Sequence, residues 1–203
     1  MILLMERGAY LDSRSGGRGI SGSLIRLFSK NARNYKKGLT GEEIIIDALR
    51  TLDNTHYLIN DITLPDSSGN IDHVLLSPTG IFAIETKHWE GEIICNGNEW
   101  IKRLTWRDFN LGSPSLQVKR NALQLSKLIE AQLFNGTYKV WVEGIVVLTN
   151  STAKIRVQKP TVTVLLANEL CDHIMQIHPK TIFSSRDLES IGNFIIERST
   201  EYK

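Results

Sequence analysis

The sequence predicts an α/β fold, a sheet layer with helices packed on it, and three observations carry that expectation. A helical apolar stripe follows a capping pattern near residue 40, two β-rich runs flank a turn between residues 71 and 87, and a long helical stripe covers residues 116–133. The order is helix, strand meander, helix, strand, strand, helices. At 203 residues the chain fits one domain with an appended arm. Hydrophobic content of 41% and charged content of 23% are globular values, and no run is apolar enough to cross a membrane, so a soluble, cytoplasmic protein is expected. Cys95 and Cys171 belong to no paired C-x-x-C motif, which argues against a zinc site or a disulfide framework.

Residues 1–36 read as a basic, partly flexible arm, rich in Gly, Ser and Arg between residues 6 and 23, with Leu24, Ile25, Leu27 and Phe28 able to make a short helix. Eight basic residues against two acids put +6 on residues 1–40, leaving −4 for the rest of a chain whose net charge is +2. A basic arm on a mildly acidic body suits an anionic partner, phosphate above all, although many such arms are only solvated tails.

Thr40 and Glu43 form a capping-box pattern before Ile44, Ile45, Ala48, Leu49 and Leu52, which predicts a helix from Gly41 to Leu52. Glu42 and Glu43 fall in its first turn, where the helix dipole favours carboxylates. His56 to Leu64 reads as a strand. Glu92–Cys95 and Glu99–Leu104 flank Asn96-Gly97-Asn98, a second, smaller hairpin. Trp100, Lys102, Arg103, Trp106, Arg107 and Phe109 interleave bases with aromatics, which suits either a nucleic-acid surface or an edge strand whose aromatics cover the core. Ser113-Pro114 opens the long helix, Gln117 lies in its first turn, and Gly136 ends it. Lys139–Leu148 and Thr161–Leu166 are strand-like. Lys154, Arg156 and Lys159 lie between them in an expected basic loop, and Asn168–Ile177 and Ser185–Glu197 are helical.

The informative stretch is Ile71-Asp72-His73 to Ile84-Glu85-Thr86-Lys87 around the turn Ser77-Pro78-Thr79-Gly80. If Ser77 pairs with Gly80, Asp72 falls opposite Glu85 and both share a face with Lys87, whereas a bulge at Gly80 turns Asp72 away. Two adjacent carboxylates invite a hard cation such as Mg²⁺ or Mn²⁺, and a lysine beside them suits metal-assisted phosphodiester hydrolysis. A solvated charge cluster on an ordinary hairpin is the plainer alternative. His73 is expected on the other side of its strand, as a hydrogen-bonded structural residue.

The set Lys37-Gly38-Leu39-Thr40-Gly41-Glu42, Ile71-Asp72-His73, Ser77–Gly80, Glu85-Thr86-Lys87, Trp89-x-Gly91, Trp100, and Pro114 with Gln117 resembles the nuclease-related domain (NERD) family of the PD-(D/E)xK restriction-endonuclease-like superfamily. Ser113 stands where that family tends to have Asn. The resemblance implies a restriction-endonuclease-like core with a mixed central sheet over residues 37–150, and the strand and helices of residues 151–203 are expected to complete the same domain. It further implies that Asp72, Glu85 and the Thr86 carbonyl hold Mg²⁺ or Mn²⁺, and that Lys87 serves the attacking water. Glu42 would then hold the metal's outer waters, and Gln117 would touch substrate phosphate or position the lysine. Lys102, Arg103 and Arg107 are the candidate nucleic-acid contacts. The expected activity is a Mg²⁺-dependent DNA endonuclease or nickase, serving repair, replication or mobile-element upkeep. A homodimer and a DNA-processing protein partner fit such an enzyme, and the alternative is a non-cleaving nucleic-acid- or protein-binding module on the same fold.

Overall fold

Apolar residues occupy both faces of the central strands, so the sheet has to be covered on both sides. The computed structural model describes residues 2–5, 41–65, 67, 69–133, 139–179 and 182–199. Its main sheet runs β1 (Ile2–Met5), β2 (Tyr57–Thr63), β3 (Asn70–Ser77), β4 (Gly80–Lys87), β8 (Val142–Leu148), β10 (Thr163–Leu166). The meander β2–β3–β4 is antiparallel, while β1, β8 and β10 pair in parallel with β2, β4 and β8. This is the mixed central sheet that the resemblance implies. A second sheet runs β7 (Asp108–Asn110), β6 (Glu99–Arg103), β5 (Glu92–Asn96), β9 (Lys154–Gln158).

Alternation along β4 sorts the two cores. Ile81 and Ala83 join a cluster with Val74, Leu76 and the helix α2 (Pro114–Leu133) residues Val118, Ala122, Leu125 and Ile129. Leu188, Ile191 and Ile195 of α4 (Ser185–Arg198) close that side. Phe82 and Ile84 face the opposite cluster, with Ile45, Ile46 and Leu49 of α1 (Gly41–Leu49) and Leu170 and Ile174 of α3 (Leu170–Gln176). Ser184 caps α4 by accepting from the Asp187 N–H at 3.2 Å. Ser113 caps α2 by accepting from the Leu116 N–H at 3.2 Å, so the helix start is capped with serine at this position.

Several boundaries differ from expectation. α1 ends at Leu49, and tight turns carry the chain on to Leu52. The basic segment expected as a loop is the strand β9, because residues 154–158 add in parallel to β5. The helix expected from residue 168 is a short 3₁₀ turn, Ala167–Glu169, followed by α3. Within the expected arm, Ile2–Met5 is an edge strand on β2. Its remaining residues, the predicted 24–28 helix and Thr40 lie outside the described residues, as does Gly136. Among the described residues no helix is long and apolar enough to cross a membrane.

Trp100 is the anchor between the small sheet and α2. It is fully buried, its ring meets Trp89 edge-on at 5.9 Å, and its Nε1–H donates to Ser115 Oγ at 2.8 Å. Removing that acceptor strands a buried donor, which costs roughly 1–3 kcal/mol. Ser115→Ala is therefore expected to lower the melting temperature by about 2–10 °C, measured by circular dichroism. An unchanged melting curve would mean that this bond does not tie the small sheet to the helix.

Candidate active site on the central hairpin

The hairpin takes the register in which Ser77 pairs with Gly80 and His73 with Ile84, where the ladder ends, and the same register carried one step further sets Asp72 opposite Glu85. Both carboxylates therefore share with Lys87 the side that faces α2. The Ser77 hydroxyl fixes the turn by accepting from the Thr79 N–H at 3.2 Å. His73 points to the other side, fully buried, and hydrogen-bonds to Asn60 Oδ1 at 2.8 Å, as a structural histidine would. Burial pushes its pKa down to about 4.

Asp72 Oδ2 accepts the Thr86 N–H at 2.8 Å, so the carboxylate replaces the backbone partner that β4 would otherwise find there. Glu85 is 1% exposed. Its Oε1 accepts from Lys87 Nζ at 2.5 Å, while its Oε2 is buried with no protein partner. Burial first, then the charge of Asp72, pushes the Glu85 pKa up to about 7 against the pull of Lys87. Burial also raises Asp72, offset in part by the Thr86 N–H and Lys87. Such paired, buried acids are costly to ionise unless a cation enters.

Glu42 approaches from α1. A Cβ on Gly41 would meet Thr149 Oγ1 at 2.8 Å and Thr86 Cγ2 at 3.1 Å, so only glycine lets this helix end abut the ends of β4 and β8. Glu42 then lies near enough to feel Asp72 and Asp61. Its pKa is raised by burial first and by those charges second. Gln117 sits half-buried in the first turn of α2, and its side chain makes no hydrogen bond to the acids or Lys87 among the described residues.

Asp61 escaped the sequence reading. The flanking pairs Asn60–His73 and Ile62–Ile71 place it opposite Asp72, and its φ of 50° is left-handed, a strained conformation for a residue inside a strand. Asn70 Nδ2 donates to its Oδ1 at 2.9 Å, and Asn121 Nδ2 donates to the Asn70 carbonyl at 3.1 Å, tying β2, β3 and α2 beside the acids. A lone Asp within the apolar run Tyr57–Leu64 was the available signal.

The aromatic and basic residues of the small sheet divide. Trp100 belongs to the core, whereas Trp106 is 87% exposed. Lys102 pairs with Glu90 at 3.6 Å and Arg103 with Asp108 at 3.5 Å, and the Arg107 guanidinium stacks 4.1 Å over Phe109. A hollow of about 630 Å³ opens between Glu92, Arg103, Leu104, Thr105 and Trp106. It lies on the small sheet and holds none of the hairpin acids.

The donor set fits a hard cation. Asp72 and Glu85 lie within electrostatic reach of each other, and Glu85 Oε2 is buried and unpartnered, although no three His, Cys, Asp or Glu residues group closely enough to hold a metal among the described residues. Carbonyl and water oxygens would have to complete such a site.

The profile described as NERD, nuclease-related domain, matches residues 37–149. A curated Bacillus anthracis protein described as uncharacterized is 30% identical over 105 residues, which is 48% of this chain and 49% of that protein. The chain thus spans about half the length of this relative. No solved structure matches.

Proposed function

Because the chain belongs to the nuclease-related domain family of the PD-(D/E)xK-like nuclease superfamily, we propose that its function is metal-dependent hydrolysis of DNA phosphodiester bonds, as an endonuclease or nickase. Such nucleases typically use divalent metals, and the observation that carries the reading is the buried, unpartnered Glu85 Oε2 beside Asp72.

In this reading Asp72 and Glu85 hold Mg²⁺ or Mn²⁺, with the Thr86 carbonyl as a further ligand. The Thr86 N–H holds Asp72 in place through Oδ2 and leaves Oδ1 for the ion. A divalent cation at this position supplies charge to polarise a water and to offset the negative charge that builds on the phosphate. Lys87, steered by Glu85 Oε1, orients that water and faces the developing charge. Glu42 holds outer waters from α1, and Gln117 meets substrate phosphate at the start of α2. Lys102, Arg103 and Arg107, with Trp106, grip the nucleic acid further out; the arginine forks suit phosphate and the exposed indole suits stacking.

Supercoiled plasmid incubated with Mg²⁺ or Mn²⁺ is expected to be nicked or linearised, and EDTA is expected to stop this. Asp72→Asn keeps an acceptor for Thr86, so it should hold its melting temperature within a few degrees while cleavage falls about a thousand-fold. Cleavage by Asp72→Asn at the wild-type rate would remove the site assignment. DNA bound by the wild type yet left intact would return the chain to the non-cleaving module.

A further inference from the structure

Four carboxylates, Glu42, Asp61, Asp72 and Glu85, are linked by electrostatic reach around Asp72, where a phosphodiester has to arrive, and Lys87 beside them already bonds Glu85. A divalent cation balances part of that charge. A polyanion still needs a second cationic contact to be held there.

α2 supplies a candidate. Gln117, Arg120, Asn121 and Gln124 are spaced i, i+3, i+4 and i+7, and so line one flank of the helix. Asn121 on this flank reaches the start of β3 through the Asn70 carbonyl, two residues before Asp72. Arg120 lies over the turn that precedes β3. Its Nη2 is 3.7 Å from where a Cβ on Gly69 would stand, which places the guanidinium beside the residue that precedes β3. Its charge reaches Glu85, yet the side chain is exposed and makes no hydrogen bond or ion pair among the described residues. The opposite flank serves a different purpose, since Lys119 there bonds Asn98 of the small sheet at 3.1 Å.

We propose that Arg120 is a substrate-binding residue that clamps a DNA phosphate next to the one being cut, its planar fork held by α2 over the mouth of the acid cluster. This rests on the nuclease reading for the identity of the ligand. A guanidinium suits the task because it binds phosphate oxygens in a bidentate manner, which a lysine does not reproduce.

The test is fluorescence anisotropy of the full chain with a labelled duplex in Ca²⁺, across a salt series, followed by cleavage kinetics in Mg²⁺. Arg120→Ala should bind about ten-fold more weakly, lower the salt slope by about one, and raise KM more than it lowers kcat. Arg120→Lys should restore the slope and only part of the affinity. Lys127→Ala, two turns along the same flank, should change neither. Circular dichroism of each variant should match the wild type, since these side chains are exposed. Wild-type affinity and slope in Arg120→Ala overturn the inference, and with cleavage intact they leave the nuclease reading standing. Arg120-dependent binding by a wild type that never cleaves supports the clamp and removes only the nuclease reading. A wild type that does not bind DNA overturns both.

Discussion

Glu85→Gln is expected to abolish cleavage and, in the metal-free protein at pH 8, to raise the melting temperature. The two effects have one origin. The Glu85 carboxyl is pushed up to about 7 by burial and by Asp72, from an ordinary value of 4.5. A raised acid contributes stability that is fully present below about pH 4.5 and is lost as pH rises through about 7. At pH 8 the wild type therefore carries the full cost, of order 3 kcal/mol with the pull of Lys87 already included. The glutamine carries none of it, keeps an oxygen that can accept from Lys87 and loses only the charge of that pair, so a net gain of roughly 1–3 kcal/mol, or several degrees, is expected. At pH 4 the difference should vanish. Mn²⁺ should reverse the ranking by stabilising the wild type alone, while cleavage by the variant falls about a thousand-fold or more. Equal melting curves at pH 8, or persistent cleavage, would show that Glu85 is not an acid held strained for a cation.

That strain is also what marks the candidate site in the sequence. Asp72, Glu85 and Lys87 interrupt runs otherwise fit for burial on both faces, and Ser-Pro-Thr-Gly chemistry favours the turn that sets their register. Where the signal was non-local, the reading missed. Lys154, Arg156 and the residues between them carry the composition of a loop, and only their parallel partner β5 makes them a strand. Trp100 reads in sequence as core or as a stacking residue, with core the favoured reading. Its burial is decided by Ser115 and Trp89, which approach from other elements. Asp61 shows a third kind of blindness, because its place depends on a left-handed φ that propensity does not encode. Arg120 shows a fourth, since a charged residue on a helix flank is ordinary until the fold shows what the flank overlooks.

Lys87→Ala separates the lysine from the ligands. If Lys87 serves the water and the phosphate rather than the ion, its loss should cost about a thousand-fold in cleavage and leave a cation site in place. The partner left behind modifies that outcome in a predictable direction. Lys87 now holds the Glu85 carboxyl down through a hydrogen bond and its charge, against burial and Asp72. Without it, Glu85 should keep its proton to a pH above the present value of about 7. Mn²⁺ binding, followed by calorimetry, should therefore weaken at neutral pH and recover towards wild-type affinity near pH 9, with more protons released per ion than in the wild type. Cleavage should not recover at that pH, because the missing amine is not replaced by deprotonating an acid. A variant that binds no metal even at pH 9 would make Lys87 a structural support of the acids. Cleavage within ten-fold of wild type would take the lysine out of the chemistry and leave Asp72 and Glu85 to act without it.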